Sequence, residues 1–186
     1  MPSIELKFQD IVFDKKVQEF CNNPKFRCPH YSRSWACPPE APYLEEEIKS
    51  YSKYILVYTK FDLNQYIEKI QAKHPNRKKN KILSKVYRKG IVRKLCRKEI
   101  KKTLSDLSND LEDVLVIWHT HCRLCQLELD KPCSYDDGEP CRYPEKIQYS
   151  MEAVGINVTE TAKKIGITLE WPPRNYLYRF GLICTK

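Results

Sequence analysis

The residues with the most chemistry in this chain are its cysteines. Four thiols fall in the run from Trp118 to Val158, WHTHCRLCQLELDKPCSYDDGEPCRYPEKIQYSMEAVGINV: Cys122 and Cys125 with two residues between them, then Cys133, then Cys141. A second group, Cys21, Cys28 and Cys37, lies near the start, and Cys28 and Cys37 are each followed by proline. Seven of the nine cysteines are thus gathered into two clusters. An odd total argues against a complete disulfide framework, and a chain of 186 residues can bury a core without one. Clustered, reduced thiols in polar loops point to metal ligation or catalysis rather than to buried core sulfur.

A metal centre needs thiolates arriving from several directions. The turn in Cys122-Arg-Leu-Cys125 points two sulfurs at one place, and the turn-prone residues beside Cys133 and Cys141 let both fold back to complete four ligands. Four cysteines satisfy either tetrahedral zinc or an iron–sulfur cluster. Zinc ribbons present two C-x2-C knuckles and this chain has one. Cluster ligands tolerate wider, unequal spacing and often have proline as a neighbour. Here Pro29 and Pro38 follow Cys28 and Cys37, while Pro132 and Pro140 precede Cys133 and Cys141. The pattern favours one or two [4Fe–4S] clusters, with zinc as the alternative and redox-active thiols behind both. The N-terminal group offers three thiols. It either leaves one iron open to a substrate or borrows a ligand, with Cys141, His30 and Cys96 as candidates. Cys96 and Cys184 lie in apolar, periodic stretches and read as core residues.

Two histidines flank the knuckle in His119-Thr-His121-Cys122. Alternation places both on one side of a strand, where packing or a hydrogen bond to a ligand is the expected role. Arg123 and Arg142 stand next to thiols and could offset the charge of a centre.

The surrounding elements read as follows. Ile4–Phe8 alternates like a short strand, and residues 11 to 21 have rough helical spacing. Residues 22 to 42 are too rich in proline for a helix and form a loop that three cysteines could staple. A short helix follows Pro42 and runs to about Tyr51, and Tyr54–Phe61 is a buried strand. Asp62 caps a helix to about Ile70. Residues 75 to 107 carry apolar positions three and four apart, the pattern of one amphipathic helix. Val114–Thr120 is a second strand that delivers the chain into the thiols. Ser150 is a candidate N-cap, Val158–Lys164 a further helix ended by Gly166, Ile167–Trp171 a possible strand and Tyr176–Cys184 the last strand. The fold class expected is α+β: a small mixed sheet of about four strands with flanking helices and cysteine-rich metal-binding loops. One α/β metal-binding domain spans 1–186, with a basic helical insertion at about 62–110.

The net charge of +9 is unevenly placed. Lys73 to Lys102 holds fourteen lysines and arginines against the single acid Glu99, which leaves the rest of the chain at −4. No apolar run approaches the ~20 residues of a membrane span, and the N-terminal residues lack the pattern of a secretory signal. A cytoplasmic protein is expected.

The combination of SWACPPEAP after paired cysteines, then CRLC, PCRYPEK and SMEAVGINV, resembles an uncharacterised family of predicted cysteine-rich metal-binding proteins of archaea and anaerobic bacteria. The resemblance covers about Cys21–Pro42 and Cys122–Val158. It implies small cytosolic redox or metal proteins and supports Cys21, Cys28, Cys37, Cys122, Cys125, Cys133 and Cys141 as ligands. A further cysteine expected soon after the knuckle is replaced here by Gln126, Leu127 and Glu128.

Three functions compete. The first is an iron–sulfur redox or electron-transfer accessory protein, docking an acidic redox partner through the basic helix 73–102. No G-x-G-x-x-G and no P-loop is present to suggest a nucleotide cofactor. The second is an enzyme whose open iron serves sulfur transfer, desulfuration or dehydration, with Tyr31, Ser34 and Glu152 as polar neighbours. The third is a zinc-stabilised module that lays the basic helix on nucleic acid, although no regular aromatic interleaving suggests base stacking.

Overall fold

The computed structural model describes residues 3–107 and 113–186. The chain opens with β1 (Ser3–Leu6) and one turn of helix, α1 (Lys16–Glu19). A two-stranded hairpin, β2 (Asn22–Asn23) and β3 (Phe26–Arg27), interrupts the proline-rich loop. Then come α2 (Glu45–Lys49) and the long strand β4 (Lys53–Asp62). Three helices follow, α3 (Leu63–Lys73), α4 (Lys79–Arg88) and α5 (Ile91–Leu107). The remainder is β5 (Val114–Ile117), α6 (Leu124–Leu129), α7 (Val158–Lys164) and β6 (Tyr176–Thr185), with short 3-10 turns between.

Four strands form one sheet in the order β1-β4-β6-β5, and every ladder is antiparallel. The α+β class and the four-stranded sheet expected from the sequence are what the chain forms. β4 and β6 pair along their whole length, from Lys53 opposite Thr185 to Asp62 opposite Tyr176. Their residues alternate between two buried faces, as a strand's period of two requires. Tyr54, Leu56, Phe180 and Leu182 pack on one side with Leu44, Ile48, Met151 and Ile156. Ile55, Val57 and Ile183 pack on the other under Cys96 and Ile100 of α5. Leu63, Val86, Val92 and Leu177 form a smaller core where α3, α4 and α5 meet.

Asp62 caps α3 as expected, its carboxylate accepting the Gln65 amide at 2.9 Å. The single amphipathic helix expected over 75 to 107 is two helices. Gly90 sits between them at φ +60°, a left-handed conformation that ends a helix and that glycine adopts without steric cost. The expected end of the basic segment near 110 lies outside the described residues. Ser150 precedes only a 3-10 turn, Glu152–Val154, although its hydroxyl does accept the Ala153 amide at 3.3 Å. Residues 167 to 171 form no strand. Among the described residues no helix is long and apolar enough to cross a membrane.

Candidate metal centre

All nine cysteines are free thiols, so the two clusters hold no disulfide. The hairpin decides the positions of the first pair. Asn22 pairs with Arg27 and Asn23 with Phe26, so Cys21 and Cys28 stand opposite each other at its open end. The Cys28 amide donates to the Cys21 carbonyl at 2.9 Å, and the Cys28 thiol acts on that of Cys21. Cys37 lies deeper, 7% exposed, in the turn that the Ser34 carbonyl closes by accepting the Cys37 amide at 3.0 Å. Burial pushes the Cys37 thiol up to about 12, and the neighbouring Cys28 and Cys21 push the same way. Cys21 rises to about 11, chiefly through burial, with Cys28 and Glu152 adding to it.

The second group is built after β5. The chain leaves the sheet at Trp118, whose amide donates to the Tyr149 carbonyl at 2.7 Å, and returns at Ser150, bridged to Trp118. Everything between is a loop closed at its neck. Within it Cys125 is buried in the first turn of α6, and Cys133 stands just before a 3-10 turn, Ser134–Asp137. Arg142 ties the ends of this stretch together: its Nη1 donates to the Pro132 carbonyl at 2.9 Å, and its Nη2 lies 3.6 Å from Asp137. The residues beside Cys133 and Cys141 are thereby joined. Burial raises the Cys141 thiol, and Cys122, Cys133 and Cys125 all act on it in the same direction.

The two loops are fastened to each other. Trp35 donates its indole N–H to the Glu139 carbonyl at 3.1 Å and meets the Tyr135 ring edge-on, with 4.9 Å between centroids. The Tyr135 hydroxyl donates to Glu40 at 3.3 Å and lies 3.5 Å from the Ser32 hydroxyl. Arg33 approaches Asp136 at 3.8 Å, and the Cys133 thiol contacts the buried Ser34 hydroxyl at 3.9 Å. His30 and His121 stack face to face, 3.5 Å apart. Between the loops runs a cleft of ≈ 490 Å³, on which Cys122, Cys125 and Cys133 open together with His30, His121 and Ser34. Cys37 also senses Cys122, so the two thiol groups are electrostatic neighbours.

Among the described residues, no three His, Cys, Asp or Glu side chains stand close enough together to hold a metal ion. Thiols of the same loop act on one another electrostatically but stop short of convergence. The donor set nonetheless fits a sulfur-ligated centre. The thiols are unpaired and carried by loops and short elements between the main strands, where binding can be coupled to local ordering.

Cationic side chains surround this region. Burial holds His121 down at about 4, and His30, then Arg93, Arg123 and Arg97, push the same way. None of these three arginines forms an ion pair among the described residues. Arg97 lies over the Trp118 ring at 4.8 Å and donates to Gln148 at 3.2 Å, while Arg123 donates twice to Gln126.

The placement of His119 and His121 on one side of a strand is overturned. β5 ends at Ile117, and beyond it the two rings part company. His121 joins His30 at the cleft, whereas His119 is 6% exposed and turns toward β6. Cys96 is fully buried against the sheet with Val57 and Ile183, so it is unsuited to complete the N-terminal group, and Cys184 is likewise core. His30 does reach the cleft. Tyr31 is occupied by the Arg27 guanidinium over its ring, Ser34 lies between the loops, and Glu152 is a neighbour of Cys21. Trp35, Tyr135 and Arg93 were not indicated by spacing. Arg179, which lies near His119, had a signal: it is the only charged residue in the apolar run Tyr176–Cys184.

With this geometry in view, residues 4–184 match the family described as predicted metal-binding protein (DUF2284), and the chain belongs to that family. No curated protein and no solved structure matches it.

Proposed function

We propose that this member of a metal-binding family is an iron–sulfur redox or electron-transfer accessory protein. Its ligand donors are Cys21, Cys28 and Cys37 from one loop and Cys122, Cys125, Cys133 and Cys141 from the other, sufficient for one or two [4Fe–4S] clusters. The observation that supports this reading is the fastening of the two cysteine-bearing loops to each other, with all seven of their thiols free. Iron is preferred over zinc on spacing, since a single C-x2-C knuckle and four neighbouring prolines fit cluster ligation better than a zinc ribbon.

A bound cluster supplies one-electron transfer. The protein contributes the electrostatic setting: Arg93, Arg97 and Arg123, which pair with no acid among the described residues, oppose the negative charge that thiolate ligation brings. The outer face contributes docking. Among the described residues none of the fourteen basic residues from Lys73 to Lys102 forms an ion pair, so this helical segment, read as an insertion on the metal-binding body, offers its charge to an acidic partner. A reducing, cytoplasmic setting keeps such thiols available.

The open-iron enzyme has one observation in its favour. The N-terminal group holds three thiols, and Cys21 neighbours Glu152, which lines an adjoining cavity.

The test is the iron, sulfide and zinc content of protein purified without oxygen, read with its visible spectrum. Brown protein with matching iron and sulfide, lost in Cys125→Ser and Cys141→Ser, is expected. Colourless protein with stoichiometric zinc would instead support the zinc-stabilised module, and salt-sensitive retention on nucleic acid would then give the basic segment its partner.

A further inference from the structure

The two cysteine-bearing loops meet at one hydroxyl. Ser34 is 5% exposed, and its carbonyl accepts the Cys37 amide at 3.0 Å, so one tight turn fixes both residues. Its Oγ accepts the Ala36 amide at 3.2 Å and lies 3.9 Å from the Sγ of Cys133, on the other loop. Ser34 and Cys133 both line the cleft between the loops. Among the groups that act on the Cys37 thiol, the Ser34 side chain is the one that opposes burial. A single buried hydroxyl therefore acts on a sulfur from each thiol group.

Its role as donor or acceptor depends on whether those sulfurs are ligands. A hydroxyl has one proton and two lone pairs. With Cys133 as a thiol, the S–H donates to the Ser34 Oγ, and the Ala36 amide takes the other lone pair. A cysteine that ligates a metal has given up its proton. The contact with Cys133 is then kept by reversal, the Ser34 O–H donating and the sulfur accepting. The Ala36 amide still holds the oxygen in place, so rotation of the hydroxyl hydrogen is enough. Hydrogen bonds to a charged acceptor are the stronger kind, and the burial of Ser34 keeps water from competing for its proton.

A donor aimed at a ligating sulfur has an electronic consequence. Reduction adds a negative charge, which the donor stabilises more than it stabilises the oxidised state. Hydrogen bonds to the sulfurs are accordingly among the factors that set the reduction potential of an iron–sulfur centre.

We propose that Ser34 is a positioning residue common to both thiol groups: once Cys37 and Cys133 are ligands, its hydroxyl shares its proton between their sulfurs and raises the reduction potential of the centre they hold. The assignment rests on the iron–sulfur reading.

The test compares the full chain with Ser34→Ala and Ser34→Thr, all purified without oxygen. Iron and sulfide are measured first, then the midpoint of one-electron reduction by dye-mediated titration followed in the visible spectrum. Ser34→Ala should keep the parent iron and sulfide and move the midpoint downward. Reduction about tenfold less favourable is expected, which is about 59 mV for one electron. Ser34→Thr retains the hydroxyl and should keep the parent midpoint. An unmoved or raised midpoint in Ser34→Ala overturns the role of Ser34 and leaves the iron–sulfur reading standing. So does a threonine variant that fails to keep the parent midpoint, or loss of iron and sulfide from the alanine variant, which would make the serine a structural prop alone. Parent protein without iron and sulfide overturns both.

Discussion

Replacing His119 by phenylalanine should stabilise the protein, and more so in acid than at neutral pH. The ring is 6% exposed with both nitrogens lacking a regular partner, so phenylalanine keeps the apolar contacts and removes two orphaned polar atoms. An unsatisfied buried group costs about 1–3 kcal/mol, which sets the gain at neutral pH. The acid effect follows from linkage. Burial, helped by the charges of Arg97, Arg179 and Arg93, lowers the His119 pKa from 6.5 to about 4, while the Arg93 backbone offsets this slightly. Between those two values the unfolded chain binds a proton that the folded chain refuses, so stability falls as pH drops through this window. The shift corresponds to about 3 kcal/mol, present in full above pH 6.5 and lost by pH 4. Glu152, which lines a cavity with His119, is present in both proteins and cancels in the difference. The assay is urea unfolding of metal-free, reduced parent and His119→Phe at pH 7.5 and 4.5. The expected result is a higher midpoint for the variant at pH 7.5 and a gap that widens by about 2–3 kcal/mol at pH 4.5. A gap that does not change with pH, or a variant less stable at pH 7.5, would show that the ring has a polar partner after all.

Two further perturbations probe the frame of the site. Gly155→Ala places a Cβ 2.3 Å from the Tyr43 ring at a backbone φ of +91°, and should cost about 2–4 kcal/mol in urea unfolding, where a loss below about 1 kcal/mol would mean that Tyr43 moves aside freely. Tyr135→Ala removes the edge contact with Trp35 and the hydrogen bond to Glu40, worth about 2–3 kcal/mol together, and unfastens the two cysteine loops. Amides of residues 28 to 41 should then exchange faster with solvent while those of β4 and β6 keep their protection; unchanged exchange in that loop would show that the loops are held by something else.

Much of this fold is legible in the sequence because its determinants are local. Tyr54–Phe61 and Tyr176–Cys184 are apolar, aromatic and β-branched enough to be strands in nearly any context, and they form the central ladder. Asp62 announces its helix by side-chain chemistry alone. The helical pattern over 75 to 107 conceals its break because the apolar spacing continues through Gly90, whose left-handed backbone is a tertiary choice rather than a periodic one. The hairpin at Asn22–Arg27 is hidden for a different reason: two residues per strand are too few to show alternation. At the site, the thiols advertise themselves by type and spacing, whereas their supports do not. Trp35 and Tyr135 look like ordinary loop aromatics, and Arg93 is one basic residue among many on α5. Only packing distinguishes it from neighbours that face solvent.

The length of one strand explains both the thiol loop that follows it and the cavity that His119 lines with Tyr178 and Phe180. β4 and β6 run together for ten residues, whereas β5 has four and pairs only with Leu182–Thr185. Had β5 continued, His119 and His121 would have stood on one face of the sheet beside β6, and the outer edge of β6 would have been covered. Instead the chain departs at Trp118, makes its excursion through Cys122 to Cys141, and is closed off by the bridge to Ser150. The departure leaves the stretch Tyr176–Gly181 without a partner from β5 and turns His119 inward beside Arg179. The same early ending that frees the backbone around Cys122 to form a thiol loop leaves His119 and the uncovered stretch of β6 to line a cavity of ≈ 310 Å³. A variant in which β5 was extended would be expected to lose both features together.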